Sequence, residues 1–123
     1  MQVSDPYSNL GSQDRAVQTR IAEAMEARCI DPAQVALRRA YLNDLELPTG
    51  ALAVEFGSGT GHVTKNLIDM AGASSALGIE PSPVMVDRAQ ALFSAEPALT
   101  FQTGDAKASG LEDASVDMVL MHT

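Results

Sequence analysis

The chain has 123 residues, of which 46% are hydrophobic and 20% charged, a balance typical of one soluble globular domain. No apolar run approaches the roughly 20 residues of a membrane-spanning helix, and the amino terminus lacks the basic and apolar regions of a secretion signal. Cys29 is the only cysteine, which excludes an internal disulfide and a cysteine-ligated metal cluster. We therefore expect a reducing, cytoplasmic location and no metal site.

The acidic balance of the chain limits its partners. The formal net charge is −8, whereas proteins that hold a phosphate backbone usually present a basic face. Residues 51–123 contain three basic side chains against nine acidic ones, so this half offers no basic patch. We expect neither a nucleic acid nor a membrane as the main partner.

Residues 1–48 are predicted to form an N-terminal helical cap. Ser12 is a candidate N-cap for a helix over about residues 13–28. A second helix is predicted after the N-cap Asp31, because Pro32 favours the first helical position. The apolar face of the first helix is predicted to be Val17, Ile21 and Met25, and that of the second Leu37, Tyr41 and Leu45.

Residues 49–123 alternate short apolar runs with amphipathic segments, the pattern of β-α-β units in a parallel sheet. Strands are predicted at 51–56, 75–79, 99–102 and 116–121, with helices at 61–71 and 82–95. Ser82 is the predicted N-cap of the second of these helices, and Pro83 follows it. Right-handed crossovers place these strands in the order 3-2-1-4. The fourth strand then forms an uncovered apolar edge, so we expect it to pair with missing C-terminal strands, a partner chain or a second copy.

A glycine-rich turn joins the first predicted strand to the following helix. Gly57, Gly59 and Gly61 let the backbone bend sharply and approach a ligand, and the helix N-terminus favours an anionic group. A dinucleotide fingerprint requires a third small residue at position 62, which is His62, so an NAD-dependent oxidoreductase is disfavoured. The alternative is a tight turn that binds no ligand.

Two acidic residues follow the next two strands, where a nucleoside ligand needs them. Glu80 ends the second strand and can accept hydrogen bonds from both ribose hydroxyls, or it is a solvated acid at a helix start. Asp105 follows the third strand and can accept from an exocyclic amine of adenine, or it belongs to an ordinary turn. Met85 can pack against a flat base or serve as core.

Four consecutive motifs resemble those of class I S-adenosylmethionine-dependent methyltransferases. They are VEFGSGTG at 54–61, GIEPSPVM at 78–85, GDA at 104–106 and ASVDMVL at 114–120. The resemblance covers about residues 49–121 in the correct order and is closest to the small-molecule methyltransferases of this class. It implies a Rossmann-like α/β core at 49–123, with S-adenosyl-L-methionine as the cofactor and a small molecule as the methyl acceptor.

The resemblance also implies roles for individual residues. The acid and glycines of the first motif line the methionine part of the cofactor, Glu80 holds the ribose, and Met85 flanks the adenine. Asp105 and the backbone of Ala106 recognise the adenine amine by hydrogen bonding, and Met121 lies near the transferable methyl group. The full set of expected cofactor-binding residues is Glu55, Gly57, Ser58, Gly59, Gly61, Glu80, Pro81, Met85, Gly104, Asp105, Ala106 and Met121.

The motifs assign no catalytic base. His62 is expected in the first helical turn and His122 at the end of the chain, and Asp117 is either a structural or a functional acid. The family domain continues through three more strands, which usually help to form the acceptor pocket. The second hypothesis is therefore a non-catalytic cofactor-binding or interaction subunit that needs a partner or second copy to complete the sheet.

Overall fold

A computed structural model describes residues 15–105 and 116–121. Within these residues the elements are α1 Arg15–Cys29, α2 Pro32–Leu42, β1 Leu52–Phe56, α3 His62–Asp69, β2 Ser75–Glu80, α4 Pro83–Leu92, β3 Leu99–Thr103 and β4 Met118–Met121. None of the described helices is both long and apolar enough to cross a membrane. The predicted helix start at Ser12 lies outside the described residues.

The strands form one parallel sheet in the order β3-β2-β1-β4, which confirms the predicted topology. The register pairs Phe56 at the end of β1 with Ile79 of β2 and Met121 of β4. Glu80 at the end of β2 pairs with Thr103 of β3. The carboxyl ends of the four strands therefore meet at one edge of the sheet, where ligands bind in open α/β sheets.

The helix starts follow the local chemistry of the sequence. The Ser82 hydroxyl accepts a hydrogen bond from the Met85 amide at 3.3 Å, and Pro83 occupies the first turn of α4. Asp31 caps α2 by accepting from two backbone amides of the first turn. Both predicted caps are confirmed, since each depends on side chains within a few residues of the helix start.

The apolar stripe predicted for α2 is wrong. Leu37, Tyr41 and Leu45 are 62%, 47% and 40% exposed, whereas the fully buried residue of this helix is Leu42. The helix also ends at Leu42, before the third residue of the predicted stripe. Arg38 fixes this orientation, because its Nε donates to Oδ1 of Asn66 on α3 at 2.9 Å.

The inward face of α1 is also rotated from the predicted one. Its buried residues are Gln18 and Ala22, while Ile21 and Met25 pack only partly buried against them. The Gln18 side chain accepts a long hydrogen bond, 3.4 Å, from the Ser82 hydroxyl. A polar contact and a small side chain, both invisible to apolar periodicity, therefore set the orientation of α1.

Gly61 allows the glycine turn to pack on an aromatic side chain. Its φ of 93° lies in the left-handed region, and a Cβ at this position would overlap the ring of Phe101, with Cε1 only 2.6 Å away. Phe101 also fills the space beside Gly78, where a Cβ would lie 2.6 Å from Cδ1 of the ring. These two glycines therefore serve the packing of β3 against the turn.

The Gly61→Ala variant should lose about 2 to 5 kcal/mol of its free energy of unfolding. Overpacking against Phe101 costs about 1 to 3 kcal/mol, and the left-handed backbone about 1 to 2 kcal/mol. Gly50→Ala is the matched control, because Gly50 has φ 79° and no atom within 4 Å of the added Cβ. Urea unfolding measures both variants, and equal losses would contradict the packing role of Gly61.

Candidate functional site

Glu80 is the centre of the candidate site at the carboxyl edge of the sheet. Its side chain is buried, and Oε1 accepts a hydrogen bond from the Gly59 amide at 3.1 Å. Oε2 accepts from the Ser82 amide at 2.8 Å. Each carboxylate oxygen has two acceptor positions, so each retains one position for a further donor such as a ligand hydroxyl.

Burial raises the pKa of the Glu80 carboxyl above its ordinary value. The amides of Ser82 and Gly59 oppose this rise, and the nearby carboxyl of Glu55 adds to it. A donor that hydrogen-bonds to the ionised form would offset part of the desolvation cost. The site therefore favours a ligand that brings hydroxyl donors.

The glycine turn is connected to β2 through its backbone. The amides of Gly57 and Ser58 both donate to the carbonyl of Ile79, at 2.8 and 3.3 Å. The Ser58 hydroxyl is buried against Gly78 and has no hydrogen-bond partner among the described residues. The structure thus fixes the turn directly beside Glu80, as the sequence predicts.

Glu55 is a fully buried carboxylate just before the glycine turn. Its Oε1 accepts a hydrogen bond of 2.5 Å from the Thr64 hydroxyl on α3. This contact connects β1 to the helix that follows the turn. The expected role of Glu55, to line the methionine part of the cofactor, stays a prediction.

The ends of β3 and β4 bring further predicted residues to the same edge. The Gly104 amide donates to the backbone carbonyl of Glu80 at 3.1 Å, so the exposed Asp105 follows β3 beside the central acid. Met121 is 61% exposed next to Phe56. Pro81 is exposed directly after Glu80. Ala106 and His122 lie outside the described residues.

Helix α1 packs over the centre of this site, which the sequence did not predict. The Met25 methyl carbon lies 2.9 Å from the position of a Cβ built on Gly59. Met85, expected to flank a base, is fully buried and packs in a cluster with Ala22 of α1. The inward spacing of Ala22 and Met25 was the only sequence signal of this contact.

Asp117 and His62, the two described residues considered for catalysis, make contacts within the fold. The Asp117 carboxylate accepts from the Leu52 amide at 2.9 Å, and the Asp117 amide donates to the Leu52 carbonyl. Leu52 begins β1, so Asp117 lies at the sheet end opposite the candidate site. His62 begins α3 as predicted, contacts Phe93 edge-on, and has its pKa lowered by burial.

A family model described as a methyltransferase domain matches residues 53–123. The chain belongs to this methyltransferase domain family. The match confirms the resemblance of the motifs to class I S-adenosylmethionine-dependent methyltransferases. No curated protein matches the sequence at a significant level.

Solved methyltransferase structures share the fold. A methyltransferase of Haloferax volcanii, in complex with the Trm112 methyltransferase activator, is 25% identical with a TM-score of 0.68. Phosphoethanolamine N-methyltransferase 2 of Haemonchus contortus, in complex with S-adenosyl-L-methionine, is 20% identical with a TM-score of 0.72. An RNA methyltransferase of Salinibacter ruber, in complex with S-adenosyl-L-homocysteine, is 22% identical with a TM-score of 0.57.

These similarities span most of this chain but only part of the other proteins. The alignments cover 98%, 97% and 76% of this chain, and 48%, 29% and 60% of the Haloferax, Haemonchus and Salinibacter chains. This chain therefore spans about half the length of the Haloferax methyltransferase. Family and fold together indicate S-adenosylmethionine as the cofactor.

Glu80 should make the stability of the protein depend on pH. Its raised native pKa means that the unfolded carboxyl, with a pKa of about 4.3, loses its proton first as the pH rises. The stabilisation from this group is therefore complete below about pH 4.3 and is lost as the pH rises through the native pKa.

Urea unfolding of the wild type and of Glu80→Gln, from pH 4 to 8, measures this effect. The free energy of unfolding of the wild type should fall relative to that of the variant across the lower part of the range, then level off. A wild type that gains stability relative to Glu80→Gln with rising pH would show that burial does not dominate the Glu80 pKa.

Proposed function

We propose that the protein is the cofactor-binding part of an S-adenosylmethionine-dependent methyltransferase with a small-molecule acceptor. The observation that carries the proposal is the buried Glu80 carboxylate at the end of β2, held by the amides of Gly59 and Ser82. The family match and the strand order support the same activity.

The described residues fit the nucleoside part of this cofactor. Both Glu80 oxygens keep an acceptor position, which matches the two hydroxyls of a ribose. Asp105 is exposed at the adjacent strand end, where it can accept from the adenine amine. Gly57 and Gly59 present bare backbone to the methionine part. We propose these roles because the resemblance to class I S-adenosylmethionine-dependent methyltransferases implies them.

When bound, the cofactor supplies a methyl group activated by a positively charged sulfur. The protein contributes orientation and the exclusion of water, and alignment of reactants accounts for roughly 7 to 11 kcal/mol in well-organised systems. The buried acids Glu55 and Glu80 favour a cationic ligand over a neutral one. The proposed site thus matches the charge of the cofactor as well as its hydroxyls.

Charge also favours a small molecule over RNA as the acceptor. The net charge of −8 disfavours a phosphate backbone, although the Salinibacter neighbour is an RNA methyltransferase. The Haemonchus neighbour, by its name, acts on phosphoethanolamine, which is a precedent for a small acceptor on this fold. A cytoplasmic location is part of the same proposal, based on the low cysteine content.

The edge strand β4 favours a second candidate function. Val119 and Met121 are 53% and 61% exposed there, and apolar edge strands are normally covered. The second candidate is a cofactor-binding or interaction subunit that completes its sheet with a partner chain or a second copy. The Haloferax methyltransferase, which is in complex with an activator protein, is a precedent for a partnered form.

Glu80→Ala should weaken binding of S-adenosylmethionine about ten- to a hundredfold, because charge-assisted hydrogen bonds contribute about 1.5 to 3 kcal/mol each. Titration calorimetry measures the affinity, with S-adenosylhomocysteine and NAD as comparison ligands. Asp117→Asn is the matched control, because that acid lies at the opposite sheet end. Unchanged affinity in Glu80→Ala would contradict the proposed role of Glu80 in binding the ribose. Tighter binding of NAD than of S-adenosylmethionine would contradict the proposed cofactor.

Mass measurement in solution tests the second candidate. A sheet completed by a second copy predicts a dimer, and Val119→Lys should dissociate it because a charge would enter the strand interface. Leu92→Lys is the control, since Leu92 is 49% exposed on α4, away from β4. A stable, well-folded monomer would argue against completion of the sheet by a second copy.

A further inference from the structure

The carboxylate of Glu26 on α1 contacts both the glycine turn and α4. It accepts a hydrogen bond from the hydroxyl of Thr60, which lies within the turn at residues 57–61. Arg88 of α4 pairs with both oxygens of the same carboxylate: Nε contacts Oε1, and Nη2 donates to Oε2 at 3.0 Å. One carboxylate therefore joins the turn to an arginine on the next helix.

The backbone of Thr60 differs from that of the other turn residues. Four turn amides donate to oxygen atoms of the protein, and these belong to Gly57, Ser58, Gly59 and Gly61. Among the described residues, no acceptor faces the amide of Thr60. Thr60 is only 4% exposed, and buried amides are normally paired. Its amide is therefore the donor in the turn that the acceptor of a ligand would satisfy.

The ion pair controls the charge beside this amide. The hydrogen bond from Arg88 holds the pKa of the Glu26 carboxyl below its ordinary value, although burial acts in the opposite direction. Glu26 is therefore ionised at neutral pH, and alone it would repel an anionic ligand group near Thr60. Arg88 supplies one positive charge through two parallel bonds, a strong and directional arrangement. The pair is neutral as a unit, while its carboxylate still accepts from Thr60.

We propose that the Glu26–Arg88 pair makes the glycine turn selective for the carboxylate in the methionine part of the cofactor. Glu26 fixes the side chain of Thr60, and with it the orientation of the amide that donates to this carboxylate. Arg88 balances the charge of Glu26, which would otherwise repel the ligand. The proposal rests on the function proposed above. Glu26 and Arg88 are positioning residues, because they act through Thr60.

Titration calorimetry with two ligands isolates the carboxylate. The ligands are S-adenosylmethionine and its decarboxylated form, which lacks only that group. The wild type should bind S-adenosylmethionine at least about tenfold more tightly, equivalent to about 1.4 kcal/mol. In Thr60→Val and in Arg88→Ala the affinity for S-adenosylmethionine should fall about tenfold. The affinity for the decarboxylated form should not fall in either variant, which also verifies that both variants are folded.

Two further variants separate the hydrogen bond from the charge. Thr60→Ser retains the hydroxyl that donates to Glu26, so its affinities should match those of the wild type. Glu26→Gln combined with Arg88→Ala retains an oxygen that accepts from Thr60 but leaves no unpaired charge. This double variant should bind S-adenosylmethionine within about threefold of the wild type. A double variant as weak as Arg88→Ala alone would contradict the role of Arg88 in balancing charge.

The matched control is Arg39→Ala, which removes the same positive charge from an exposed position on α2. Both of its affinities should equal those of the wild type. Equal binding of the two ligands by the wild type, or an unchanged ratio of the two affinities in Thr60→Val or Arg88→Ala, would overturn the proposed selectivity and leave the cofactor assignment intact. A wild type that binds neither ligand would instead refute the proposed function, and the selectivity with it.

Discussion

The arrangement of the candidate site depends on one buried carboxylate. Glu80 accepts the amide of Gly59 on one oxygen and the amide of Ser82 on the other, which connects the glycine turn to the start of α4 at the end of β2. Without this acceptor, two buried amides would lose their partner, and each such loss costs about 1 to 3 kcal/mol. The same group therefore supports the local fold and, in the proposed function, carries the charge that faces the ligand.

Features of the fold that depend on neighbouring residues in sequence could be predicted, and those that depend on distant packing could not. The caps Asp31 and Ser82 act within their own helices, and the strand order follows from the handedness of the crossovers. The inward faces of α1 and α2 are set by Gln18 and Arg38, whose partners lie 64 and 28 positions away. Apolar periodicity carries no information about such polar contacts.

The glycine turn also combines a feature that the sequence predicts with one that depends on distant packing. The sequence predicts that its glycines approach a ligand, and the structure places the Gly59 amide against the Glu80 carboxylate. Gly61 has a different reason to lack a side chain, because the ring of Phe101, 40 residues later, occupies the space of its Cβ. The motif therefore contains a glycine that serves core packing, and the sequence alone does not distinguish it from glycines that would approach a ligand.

The burial of Glu80 has two opposing effects. It raises the cost of the negative charge, and with it the pKa of the carboxyl, but it also strengthens every hydrogen bond made to the carboxylate. A ligand that brings two hydroxyls and a positive charge would offset that cost by hydrogen bonds and by charge. The same burial that makes Glu80 costly in the empty site would therefore favour a cationic nucleoside over a neutral ligand without donors.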